Sequence, residues 1–178
     1  MDLSIAIFIN KLGEGTFLDT TTKFISSYLF LIALWTALII AILFFDKKNR
    51  KTLLITILIA IALHFLISEG FFKILLATFF KLRVRPYLAH PDLITALGTN
   101  STDSSFPSNH MSSTVSILTV FVYFYKKYWI VWTSAVLFTI LMAFSRTHNG
   151  MHYPTDILAG IALGIVYGTI AIKSQKLL

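Results

Sequence analysis

From Phe24 to Phe45 the chain carries no charged residue. As a helix rising ~1.5 Å per residue, that run reaches ~33 Å, enough to cross the ~30 Å hydrocarbon core of a bilayer. It is too long and starts too late to be a cleaved leader, and no small-residue cleavage site follows it. Hydrophobic residues make up 56% of the chain and the mean hydropathy is +0.78, so the sequence reads as an integral membrane protein. With no cysteine, it offers no disulfide and no thiolate metal site.

The remaining apolar runs extend the pattern. The second starts at Thr52 and continues to Leu82, interrupted by Glu69, Gly70 and Lys73. It exceeds the core thickness, so it must tilt, protrude or break near Gly70. Glu69 and Lys73 stand four apart and can pair on one helical face, and His64, alone in the run, reads as structural. From Ser108 to Tyr125 small hydroxyl residues interleave with apolar ones, the composition of a helix packed against other helices in lipid. Tyr128, Trp129 and Trp132 open a further span to Phe144 as an interfacial aromatic belt, and the last span, from Pro154 to Ile172, carries Gly160, Gly164 and Gly168 as a smooth contact stripe. The expected fold is an all-α integral membrane bundle of about five spans, a single domain over 1–178. Residues 2–12 form a short interfacial helix closed by Gly13 and Gly15, and 18–178 form the bundle.

The charges sort by side. The net charge of +7 sits at the ends of apolar runs, which fits anchoring at a membrane surface better than binding nucleic acid. The 46–51 loop, Lys126 and Lys127, and the C-terminal Lys173 and Lys176 share one side, with eight basic residues against Asp46. By the positive-inside rule that side is cytoplasmic. The polar stretches 83–110 and 145–153 then face outward from a cytoplasmic (inner) membrane, crossed several times.

Those outward stretches hold three clusters: Arg83-Val-Arg85-Pro86-Tyr87, Ser105-Phe-Pro-Ser108-Asn109-His110, and Ser145-Arg146 followed by His148, His152 and Asp156. Arginine forks and helix N-termini aimed at one place suit phosphate oxygens. Two histidines there permit attack on phosphorus by one and protonation of the leaving oxygen by the other, a carboxylate fixing the tautomer of the first. Pro154 suits the first helical turn, which puts Asp156 near the third position with His152 just ahead of the helix. Asp156 then faces His152, or merely caps the helix by accepting free N–H groups. No carboxylate cluster suited to Mg²⁺ occurs, so charge neutralisation falls to the arginines, and neither metal nor cofactor is expected.

Arg85-Pro86, Pro107-Ser108-Asn109-His110, and Ser145-Arg146 with His152 and Asp156 resemble, in order and spacing, the type 2 phosphatidic acid phosphatase family over roughly residues 18 to 173. The resemblance implies that His152 is a phosphorylated nucleophile, that Asp156 orients it and that His110 protonates the leaving group. Arg85, Ser108, Asn109 and Arg146 would bind phosphate. His148 and His90 stay unassigned, as loop residues. Asn109 stands where the family usually has glycine, and Thr78 where it has a lysine seven residues before the arginine. If the helix continues to Arg85, positions 78, 81 and 85 share a face, and Lys81 is a candidate for the missing cation; otherwise it snorkels to headgroups, with Arg83 and Arg85 sufficient for the phosphate.

Arg85-Pro-Tyr-Leu-Ala-His90 and Ser105-Phe-Pro-Ser108 look similar to the bacitracin-resistance type of undecaprenyl-diphosphate phosphatase. That implies metal-independent hydrolysis of undecaprenyl diphosphate, a membrane lipid substrate, on the outer face. Phosphatidylglycerophosphate phosphatase and lipid A 1-phosphatase are alternatives within the family. A non-catalytic lipid-phosphate binder or permease is the alternative outside it.

Overall fold

The computed structural model describes residues 1–80, 82–98 and 101–175, with the side chains of Ala77 and Thr78 left aside. The described residues contain helices and connecting turns and no strand. Two short helices lead, α1 (Asp2–Lys11) and α2 (Phe17–Ile25), and α3 (Tyr28–Phe45) follows. The apolar run from Phe24 is thus cut at its start. Ser27 turns the chain and caps α3, its hydroxyl accepting from the Phe30 N–H at 3.2 Å.

The long second run neither breaks nor stays regular. α4 (Arg50–His64) passes into a π-helical segment (Phe65–Leu75) and then into one α turn, α5 (Leu76–Phe79). Gly70 lies inside the π segment, whose i→i+5 bonding shifts the faces that follow it. After the single turn α6 (Pro86–Ala89) come α7 (Asn109–Phe124), α8 (Trp129–His148) and α9 (Pro154–Ser174).

Tyr28–Phe45, Arg50–Leu75, Trp129–His148 and Pro154–Ser174 are each long and apolar enough to cross a membrane. α7, at 16 residues, is shorter, and it forms the centre of the bundle between α4 and α9, with Met111, Val115, Ile117 and Val120 buried. Polar side chains join these helices inside the bundle: Ser112 lies 3.0 Å from His64 Nδ1, and Ser68 lies 3.0 Å from the Tyr167 hydroxyl. Large apolar side chains such as Leu29, Phe44, Leu66 and Leu137 are exposed on the outside, as lipid contact requires.

Gly160, Gly164 and Gly168 press on α7. A Cβ on Gly164 would lie 2.7 Å from the Val115 Cβ and 2.8 Å from the Ser112 carbonyl oxygen. Neither backbone can yield without parting the central helix pair. Gly164→Ala is therefore expected to destabilise the bundle by about 1–3 kcal/mol, the cost of overpacking, read as a lower melting temperature in detergent.

The two ends of the bundle differ. At one end Asp46 accepts from the Tyr125 hydroxyl at 2.7 Å, beside Lys48, Lys126 and Lys127. At the other end α1 closes over the loops. Asn10 is buried and donates to the carbonyls of His148 and Thr95 at 2.7 and 2.9 Å. His148, expected in a loop, is the last residue of α8 and is fully buried, 2.8 Å from the Leu12 carbonyl oxygen and 3.0 Å from the Thr22 hydroxyl. It ties both leading helices to the bundle.

Candidate active site

Three segments far apart in sequence meet at the end covered by α1. Arg85 stands just before α6, Ser105 to His110 lead into α7, Arg146 lies in the last turn of α8, and His152 stands in the turn between α8 and α9. His152 is buried with 1% exposure, and its Nδ1 lies 2.7 Å from the Ser105 carbonyl oxygen. A carbonyl only accepts, so Nδ1 carries the proton and Nε2 keeps its lone pair. That Nε2 points between two guanidinium groups, 3.4 Å from Arg85 Nη1 and 3.5 Å from Arg146 Nη2. Burial, followed by the charges of Arg146 and Arg85, holds the His152 pKa well below the usual imidazole value. The ring is therefore neutral at pH 7 and has the form of a nucleophile flanked by cations.

Of the two roles open to Asp156 in the sequence, the structure shows the cap, and its carboxylate approaches His152 without a hydrogen bond to it. Its Oδ2 accepts from the Tyr153 N–H at 2.9 Å, capping α9, and lies 4.0 Å from His152 Nδ1. Its Oδ1 accepts from Arg83 at 2.7 Å. The hydrogen bond that orients His152 comes from the Ser105 carbonyl, and Ser105 is itself fixed by its N–H donating to the Arg83 carbonyl at 2.9 Å. Arg83 also pairs with Asp2 of α1 and lies 3.9 Å over the Tyr153 ring, so an Asp2–Arg83–Asp156 chain locks the leading helix to the site.

His110 occupies the first turn of α7, buried, with its ring 4.9 Å from that of Tyr28. Its Nε2, the Ser108 hydroxyl and the Arg146 Nε are buried without a hydrogen-bond partner among the described residues. Orphaned polar atoms cost about 1–3 kcal/mol each, so three in one place mark a site built for a polar ligand. Beside them a cavity of about 300 Å³ is lined by Tyr28, Gly98, Arg146 and Met151 among others.

The pairing expected between Glu69 and Lys73 does not form. Glu69 accepts from the Asn109 side-chain amide, at the start of α7. Lys73 pairs with Asp103, whose carboxylate also takes Arg85 Nη2 at 2.7 Å. Partial burial pushes the Asp103 carboxyl upward, yet bonds from Lys73, Ser101 and Arg85 hold it well below the usual carboxylate range. Lys73, Asp103 and the Ser105 carbonyl were not anticipated here, and Arg83, expected beside Arg85 at the phosphate, pairs with Asp2 and Asp156 instead. For Lys73 a signal existed, since a lysine inside an apolar span is costly unless it serves the interior. Lys81 lies outside the described residues.

A helical membrane bundle with a neutral, buried histidine held between arginines is an arrangement that suits an anionic, phosphate-bearing ligand. The chain belongs to the PAP2 superfamily, which it matches over residues 53–177. It is 29% identical over 174 residues to the undecaprenyl-diphosphatase BcrC of Bacillus subtilis, covering 93% of this chain and 79% of that protein. It is 31% identical over 155 residues to a lipid A 4'-phosphatase of Porphyromonas gingivalis, covering 79% and 61% respectively. Among solved structures it resembles Aquifex aeolicus LpxE, with a TM-score of 0.70 and 25% identity over 97% of this chain and 94% of that one.

Proposed function

We propose that this chain is a metal-independent phosphatase that converts undecaprenyl diphosphate to undecaprenyl phosphate on the outer face of the cytoplasmic membrane. The observation that carries the reading is His152, with Nδ1 bonded to a carbonyl and Nε2 aimed between Arg85 and Arg146. Nε2 attacks the terminal phosphorus, and the bond from that phosphorus to the bridging oxygen breaks. The lipid phosphate departs, taking a proton from His110 where it needs one. Water then attacks the phosphohistidine, releasing orthophosphate and regenerating the imidazole. Arg85, Arg146, the Ser108 hydroxyl and the Asn109 N–H stabilise charge on the transferring oxygens. Two arginines supply the cationic field that other phosphoryl-transfer sites draw from metal ions, and among the described residues no cluster of three histidine or carboxylate side chains converges.

The substrate assignment is supported by the undecaprenyl-diphosphatase BcrC, which is 29% identical in a match covering 93% of this chain. A second reading, a lipid A phosphatase, is supported by the similarity to the Porphyromonas protein. Phosphate release from undecaprenyl diphosphate, lipid A and phosphatidylglycerophosphate, each with and without EDTA, separates them. The diphosphate is expected to turn over fastest, unaffected by EDTA. Faster release from lipid A replaces the substrate assignment, and activity lost to EDTA and restored by Mg²⁺ removes the metal-free mechanism.

Sidedness has its own test, because the chain lacks cysteine. Asp92 and Lys47 are both exposed at opposite ends of the bundle. In intact cells an impermeant thiol reagent is expected to label Asp92→Cys and to reach Lys47→Cys only after permeabilisation. The reverse pattern places the site in the cytoplasm.

A further inference from the structure

The carboxylate of Asp103 is held by two cations at once. One oxygen bonds the Lys73 ammonium, and the other receives Arg85 Nη2 at 2.7 Å and Nε at 3.2 Å. The Lys73 side chain is 6% exposed, whereas that of Asp103 is 40% exposed, so the cations are built into the protein and the anion is the accessible partner. The same guanidinium reaches the nucleophile, with Nη1 3.4 Å from His152 Nε2. The Nε–Nη2 edge of Arg85, the edge that grips two oxygens of a phosphate, is therefore taken by Asp103 next to the reacting atom, through one carboxylate oxygen and through the backbone carbonyl, which accepts from Nε at 3.1 Å.

We propose that Lys73 is a phosphate ligand of this site, and that Asp103 is a resident anion which the incoming phosphoryl group displaces from Lys73 and Arg85. The proposal rests on the reading of the site as phosphoryl-binding. A phosphoryl oxygen pair has the charge and the spacing to replace the carboxylate on the Arg85 fork. Once Asp103 leaves, Lys73 is a buried cation whose ion-pair partner has gone, and the phosphoryl group is the anion at hand to neutralise it. Lys73 thereby supplies the cation absent at Thr78, from the π-helical segment rather than from the turn beside Arg85. Asp103 keeps Lys73 charged and placed between turnovers, at the cost of competing with substrate.

The test uses inorganic orthophosphate as the probe, titrated calorimetrically into the full chain in detergent, so that binding is read without lipid turnover. Asp103→Asn removes the competing charge and is expected to tighten orthophosphate binding by about tenfold, the worth of one charge-assisted contact. In the Asp103→Asn background, Lys73→Met is expected to weaken binding by about tenfold or more, and Lys73→Arg to retain most of it. Melting temperatures for each variant separate loss of binding from loss of fold. Orthophosphate binding by a folded Asp103→Asn protein that is unchanged or weaker than wild type overturns the displacement. Indifference of the Asp103→Asn protein to Lys73→Met leaves the lysine as a prop for the loop and overturns its role as ligand. The lipid panel is run on the same preparations. If no lipid phosphate is hydrolysed while the orthophosphate pattern holds, the hydrolase reading fails and this one stands; turnover without the pattern has the opposite meaning.

Discussion

His152→Ala is expected to lower turnover by at least about 10⁴-fold, the scale on which loss of a nucleophile registers in enzymes that use covalent catalysis. The size follows from what surrounds the ring. Its Nδ1 is committed to the Ser105 carbonyl at 2.7 Å, its Nε2 alone faces the arginines, and no cysteine exists to replace it. Binding should survive the change, because Arg85 and Arg146 keep their own places beside the site when the ring is removed. The variant should hold orthophosphate yet form no acid-labile phosphoprotein when given labelled substrate. His110→Asn should behave differently. Loss of a proton donor costs about 10²–10⁴-fold where the leaving group is an alkoxide, and much less for a diphosphate, whose leaving phosphate needs little protonation. Wild-type turnover by His152→Ala would end the covalent mechanism, and an equal loss in His110→Asn on monoester and diphosphate would end the assignment of the acid.

Arg146→Met should separate activity from stability. The arginine is 7% exposed, its Nε has no partner, and its guanidinium meets the His152 Nε2 at 3.5 Å without an ion pair to any carboxylate among the described residues. A buried charge in that state costs folding free energy, a cost that a bound anion would offset. Replacing it with an apolar side chain of similar length should lower kcat/KM by about 10²–10⁴-fold, the range for losing a charged contact to a transferring phosphoryl group. The melting temperature should stay level or rise. Arg83→Met is the contrast, since it strips the fully buried Asp156 of its ion-pair partner and should lower the melting temperature. A fall in stability for Arg146→Met equal to that of Arg83→Met would make Arg146 a structural ion rather than a ligand.

The sequence by itself determined that the chain is a helical membrane bundle, because the match between an apolar run and a bilayer's thickness is a property of a single stretch of chain. It also placed the three polar clusters at span ends, and the structure brings Arg85, Ser108, His110, Arg146 and His152 to one end of the bundle. Helix interruptions were less legible. Ser26 and Ser27 cut the first apolar run because a serine cap competes with helix continuation, and the widened π turns around Gly70 carry the second run through the point where a tilt, a protrusion or a break were all open.

Partner choice was decided by the tertiary structure alone. Lys73 has Glu69 within helical reach in sequence but bonds Asp103, thirty positions away, and Glu69 turns to Asn109. His152 has Asp156 four residues on but donates its Nδ1–H to the carbonyl of Ser105, forty-seven residues back. Asp156 goes to Arg83, and Arg83 goes on to Asp2 at the far end of the chain. A helical period settles which side chains share a face of one element. Which of two acceptors a buried donor takes is settled by where the helices cross and how the loops between them fold back, and in a low-dielectric interior a difference of one ångström between candidates is enough to decide it.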